Sequence, residues 1–198
     1  INYHKHYINR YAFLFNEYIG NKYVYLPELS LRYTGQKTFQ FDNSHKTIAL
    51  YLGGENKEFR KYPDEYAVQL LRLLNRQGYN LLLIGDENDN IKHTQYAEEA
   101  RIDHLINLTA RTTIEGFINT IANVDLIITI DSSALHIAAA VKTPFIALMG
   151  LSTSPTSTIL PKVPLGRILK IENNLIREED YIRNITPDLI LKTISELI

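Results

Sequence analysis

"DLIITIDSSALHIAAAVKTPFIALMG" (Asp125–Gly150) decides the fold. Its first apolar run, "LIITI", is short, rich in β-branched residues and lacks polar alternation, so it reads as a strand buried on both faces. "SALHIAAAV" follows at once with helical composition. "PFIALMG" is then a second continuous apolar run, stopped by glycine. A buried strand, a helix and a second buried strand make a βαβ unit, and such a unit lies in a parallel sheet.

The same alternation extends outward from this unit. Toward the N-terminus, "TIALYLG" (Thr47–Gly53), "NLLLIG" (Asn80–Gly85) and "LINLT" (Leu105–Thr109) read as strands. Between them, "PDEYAVQLLRLLNRQG" carries apolar residues at helical spacing, with Pro63 at the first helical position and Gly78 as its stop. "NDNIKHTQYAEEA" (Asn88–Ala100) reads as a polar helix. "TTIEGFINTIANV" (Thr112–Val124) reads as a helix capped by Thr112 or Thr113, with Glu115 in its first turn. Toward the C-terminus, "GRILKI" (Gly166–Ile171) is expected to be a sixth strand. "TPDLILKTISELI" (Thr186–Ile198) is expected to be a closing helix, opened by threonine and proline. Near the start, "HYINRYAFLFNEYIG" (His6–Gly20) reads as an amphipathic helix, and Asn21–Lys46 as a connecting segment. The expected division is an N-terminal helix and linker over 1–45, the α/β unit over 46–185 and the closing helix over 186–198.

Composition narrows the function. Of 198 residues, 45% are hydrophobic and 22% charged, enough to build a core. A formal net charge of -1 provides no field for drawing in nucleic acid. The absence of cysteine excludes disulfides, thiolate metal sites and a cysteine nucleophile. No apolar run approaches the ~18 residues that span a bilayer, and the N-terminus lacks the apolar stretch of a secretory signal. A cytoplasmic location is expected. Because the first residue is isoleucine, the chain reads as a fragment or a processed form. No histidine and carboxylate grouping has metal-ligand spacing, so no metal is expected. Neither GxGxxG after the first strand nor GxxxxGK[ST] occurs, which excludes the standard dinucleotide fingerprint and the P-loop.

Ligands of parallel α/β sheets bind outside the carboxyl ends of the strands, so the loops there carry the candidate site. After "LIITI", Asp131, Ser132 and Ser133 stand at a helix N-terminus, where backbone N–H groups lack intrahelical partners and the helix dipole favours an anion. The serine hydroxyls add donors; plain N-capping by Asp131 or a serine is the simpler alternative. His136 lies one turn into that helix, within reach of a bound ligand. After the first strand, Lys57, Arg60 and Lys61 crowd the start of a helix, against the dipole preference. A phosphate would balance them, as would Glu55 or Glu58.

"IALYLGGENKEFRKYPDEYAVQLLRLLNRQGYNLLLIGDENDN" followed by "INLTARTTIEGFINTIANVDLIITIDSSALHIAAAVKTPFIALMG" resembles the C-terminal half of the family 9 glycosyltransferases, the ADP-heptose:lipopolysaccharide heptosyltransferases and their relatives. The likeness covers about Lys46 to Pro155. It rests on Asp131-Ser132-Ser133, His136, the alanines after it and Thr143-Pro144, together with Arg60-Lys61-Tyr62-Pro63.

The resemblance implies a Rossmann-like parallel sheet of about six strands with helices on both faces, forming the donor half of a GT-B enzyme. It implies a nucleotide-sugar site at Gly53, Arg60, Lys61, Asp89, Thr112, Asp131, Ser132, Ser133 and His136. In that site Asp131, Ser132 and Ser133 meet the diphosphate, Thr112 lies next to the adenine, and Asp89 falls near a ribose-contacting carboxylate. The implied donor is ADP-heptose or a similar nucleotide sugar. The implied acceptor is a glycolipid, met through an N-terminal domain that holds the general base and is missing here; docking on the inner face of the inner membrane would follow. No cofactor is implied. Four positions depart from the family pattern. Ser133 replaces a glycine, Arg60 a lysine, Tyr62 a tryptophan and Leu151 a proline. A Cβ at Ser133 narrows the backbone's approach to phosphate. A transferase for another sugar, or a degenerate binding module, fits the same pattern.

Overall fold

The computed structural model describes residues 14, 16–20, 30–41, 44–53, 61–150, 161, 164–170 and 178–198. Six strands form one sheet: β1 (Thr47–Tyr51), β2 (Asn80–Leu83), β3 (Leu105–Asn107), β4 (Leu126–Ile130), β5 (Phe145–Met149) and β6 (Gly166–Lys170). All pairs are parallel, in the order β3-β2-β1-β4-β5-β6. The chain therefore works outward from β1 to one edge, returns to β4 beside β1, and works outward to the other. β1, β2, β4 and β5 are buried along their whole length, which is why their sequences are apolar runs broken only by Thr47, Asn80 and Thr129.

Helices cover both faces. α1 (Asp64–Arg76) packs against α2 (Asn90–Ala100) and α5 (Pro187–Ile194); α3 (Ile114–Ala122) packs against α4 (Ser133–Val141). In α1, Ala67, Val68, Leu70, Leu71 and Leu74 recur every three or four residues and form its buried stripe. Gly78, at φ 81°, ends it: its N–H donates to Asn75 O and the Tyr79 N–H to Leu74 O. That paired closure needs a left-handed residue, and glycine takes it without a Cβ penalty. Pro63 is the N-cap of α1, one position before the expected place. α5 opens with Thr186 as cap and Pro187 in its first turn, and adds Ile190 and Ile194 to the core.

Two features were not anticipated. A 3-10 turn (Glu87–Asp89) precedes α2, and a 3-10 segment (Glu178–Asn184) precedes α5. The described part of the N-terminal helix ends at Tyr18, followed by a turn that closes at Gly20, at φ 66°; the remainder of that reading lies outside the described residues. The connecting segment is irregular over 30–41, yet it is fastened to α3. Asn119 accepts from the Gly35 N–H at 3.1 Å and donates to Thr34 Oγ1 at 2.9 Å, and the Thr38 and Thr120 hydroxyls meet at 2.6 Å.

Candidate functional site

In a sheet of this order the crevice opens between β1 and β4, where the direction of winding reverses. The β1/β4 register pairs Tyr51 with Thr129; continued by two residues, it sets Gly53 level with Asp131. The turn singled out from sequence thus stands at the carboxyl end of β4, beside β1, at the switch point.

Ser132 is the N-cap of α4 in extended backbone, and Ser133 is the first helical residue. No side chain of the turn caps the helix, Asp131 included, so the simple capping alternative does not describe this structure. Ser132 and Asp131 are half-buried, while Ser133 and His136 are exposed. By contrast, α3 is capped by Thr113 Oγ1, which accepts from the Gly116 N–H at 3.1 Å, and α5 by Thr186, which accepts from the Leu189 N–H at 3.3 Å. Thr113, not Thr112, is therefore the cap of α3; Thr112 precedes it, half-buried, in the loop after β3. That loop is joined to the one after β2, because the Ala110 N–H donates to Gly85 O at 3.1 Å.

Asp89 is almost wholly buried, at 6% exposure, against the ends of β1 and β2. A Cβ built on Gly53 would lie 1.7 Å from Asp89 Oδ1, and one built on Gly85 would lie 2.7 Å from Oδ2. The two glycines leave the space its carboxylate fills. Asp89 also closes a capping box with Asp86, accepting from the Asp86 N–H at 3.3 Å while Asp86 accepts from Asn88 N–H at 2.8 Å. The structure thus packs Asp89 between the ends of β1 and β2, one strand over from the β1/β4 switch point.

Arg60 lies outside the described residues, as do Lys57, Glu55 and Glu58. Lys61 is half-buried just ahead of α1, whose first turn holds Asp64 and Glu65. Burial tends to raise the Asp64 pKa, but hydrogen bonds from Lys92 and Tyr96 and the charges of Lys92 and Lys61 outweigh it and hold the carboxyl below its usual range. The helix start therefore carries its own acidic balance to Lys61. Tyr62 turns inward: it is fully buried, its hydroxyl donates to Ile185 O at 2.9 Å, and burial pushes its pKa up.

Sequence reasoning passed over three side chains near this rim. Thr129, inside β4, contacts Ser132; its only signal was one hydroxyl in "LIITI". Asp64 is the anion beside Lys61. His93 is fully buried with Nδ1 2.7 Å from Thr109 Oγ1, in the loop after β3. Among the described residues no group of three or more His, Cys, Asp or Glu is placed to hold a metal.

Comparison with known proteins follows the same lines. The profile of glycosyltransferase family 9 (heptosyltransferase) matches residues 1–179. Lipooligosaccharide heptosyltransferase 2 of Haemophilus influenzae is 31% identical over 158 residues, covering 74% of this chain and 45% of that protein. Lipopolysaccharide heptosyltransferase 2 of Escherichia coli K12 is 24% identical over 172 residues, covering 81% and 49%. The chain thus spans about half the length of the curated relatives it matches. Among solved structures, the E. coli ADP-heptose lps heptosyltransferase II superimposes with a TM-score of 0.68 at 24% identity, over 77% of this chain and 46% of that one. The glycosyl transferase family 9 structure from Veillonella parvula gives 0.66 at 20% identity, over 77% and 46%. These likenesses establish the fold, and the profile match over residues 1–179 establishes the family: the chain belongs to glycosyltransferase family 9.

Proposed function

We propose that this chain is the donor-binding half of an inverting glycosyltransferase, and that it holds a nucleoside-diphosphate sugar across the ends of β1 and β4. The observation that carries the reading is the α4 N-terminus. It opens at the switch point without a side-chain cap, behind two serines, where its free N–H groups and dipole favour a diphosphate. Lys61 lies on the opposite rim ahead of α1, with Arg60 beside it in sequence.

In the proposed reaction an acceptor hydroxyl attacks the anomeric carbon. The bond from that carbon to the diphosphate breaks and its electron pair passes to the phosphate oxygen. The hydroxyl proton goes to a base outside this chain. What this half contributes is stabilisation of the departing charge by the N–H groups of Ser133 and Ala134, set in place at the α4 N-terminus, and by the cations Lys61 and Arg60. In this reading Gly53, with Asp89 packed against it, stands just past β1 beside the diphosphate, Thr112 borders the base, and the exposed His136 lies one turn into α4. The names of the relatives favour a heptose donor and a lipopolysaccharide-type acceptor. No described helix is long and apolar enough to cross a membrane. In this reading an acceptor held in a bilayer would be met by peripheral docking on the inner face of the inner membrane.

Calorimetric titration with ADP, UDP and GDP tests this. Each charge-assisted hydrogen bond contributes about 1.5–3 kcal/mol, and two or three of them give dissociation constants of roughly millimolar to micromolar after association costs. ADP is expected to bind in that range, and Arg60→Ala to abolish it. A polypeptide of these 198 residues is expected to transfer no sugar. Failure of all three nucleotides to bind at millimolar concentration, in the native chain and in Ser133→Gly alike, would exclude a donor site here.

A further inference from the structure

Thr129 lies within β4, paired in register with Tyr51 on one side and Ala147 on the other, and is 0% exposed. A hydroxyl at such a position carries a desolvation cost that valine would avoid, so its hydrogen bonds matter. It makes two. Thr129 Oγ1 donates to the Ile130 carbonyl at 3.0 Å and lies 2.9 Å from Ser132 Oγ. A threonine hydroxyl has one proton and a carbonyl has none. With the Thr129 proton on the Ile130 carbonyl, Ser132 donates in the shorter contact; the oxygen positions allow either hydroxyl to be the donor there. In this state Ser132 Oγ turns lone pairs, not a proton, toward the crevice.

An anion at the α4 N-terminus reverses the arrangement. Ser132 then donates to the anion, and Thr129 rotates its proton from Ile130 to Ser132 Oγ. Two hydroxyl protons turn and both oxygens stay in place. We infer that Thr129 is a positioning residue: it holds Ser132 Oγ in one rotamer under the incoming diphosphate and supplies the bond from behind that frees Ser132 to donate forward. This rests on reading the α4 N-terminus as the diphosphate site.

Thr129→Val keeps the branched shape and removes the hydroxyl, whereas Thr129→Ser keeps the hydroxyl and removes the methyl. In ADP titrations Thr129→Val is expected to weaken binding about tenfold and Thr129→Ser by less than about twofold. On a Ser132→Ala background Thr129→Val is expected to have no further effect, because the two side chains act as one unit. In nucleotide-free crystals, Ser132 is expected in one rotamer in the native protein and in several in Thr129→Val. Unchanged ADP affinity in Thr129→Val, an undiminished effect on the Ser132→Ala background, or an unchanged single rotamer each overturns the inference. If the native chain takes up no ADP, the donor-site reading fails and the forward role of Ser132 fails with it. The rotamer comparison then decides the tether alone, a single rotamer in both proteins removing that as well.

Discussion

At Gly53 the absence of a side chain is occupied by another residue's carboxylate. Asp89 lies where the Gly53 Cβ would be, and leans on Gly85 as well. Gly53→Ala therefore cannot keep both the β1 terminus and Asp89 in place. Because Asp89 also accepts from the Asp86 N–H, displacing it opens the turn that starts α2. The expected cost is about 1–3 kcal/mol, the range for overpacking a filled site, read by urea unfolding. On an Asp89→Ala background the same substitution should cost much less, since the space is then empty; an equal cost in both backgrounds would refute the packing account. The sequence indicated a glycine at the strand end and a carboxylate near the ligand. It held no sign that the two share one volume, because they are far apart in the chain and meet only through strand pairing.

The helices differ in how they begin. Thr113 and Thr186 each satisfy an orphan N–H of α3 and α5, whereas α1, α2 and α4 start with no side-chain cap of their own. Thr113→Ala and Thr186→Ala are each expected to lower stability by about 1 kcal/mol in urea unfolding. Ser133→Ala, which removes no cap, should change it by less than about 0.5 kcal/mol. A Ser133→Ala cost matching the threonine variants would mean that α4 is capped in solution and its N–H groups are not free. Strands and helix ends of this kind were largely legible. Buried parallel strands are continuous apolar runs, and Thr-Pro or Gly at a boundary has a direct backbone reason. The 3-10 turn at Glu87–Asp89 was not legible, because Asp86 to Asn90 are all polar, several of them able to cap, and no period stands out. Nor did spacing separate Thr112 from Thr113 as cap; one-residue differences at helix ends depend on backbone angles that composition does not encode.

Across the described residues the core is built mainly of aliphatic side chains, and titratable groups, Tyr62, Asp89 and His93 among them, are buried with it. His93, in α2, is fully buried. Burial pulls its pKa down to about 4, against a smaller upward pull from Asp86. A histidine exposed by unfolding titrates near 6.5, so below that pH the unfolded chain takes up a proton that the folded chain refuses. Stability is then complete above about pH 6.5 and falls as the pH drops toward 4. A gap of about 2.5 units corresponds to roughly 3 kcal/mol across that window. The lowered Asp64 pKa adds a loss in the same direction, beginning only below its ordinary range near 3.8. The two windows separate the groups. Urea unfolding at pH 7, 6, 5 and 4.5 should show a steady decline in the native protein, and His93→Gln should flatten it while losing some stability at pH 7 through the Thr109 contact. A decline of equal slope in His93→Gln would assign the acid sensitivity to other groups and place the His93 ring in contact with water.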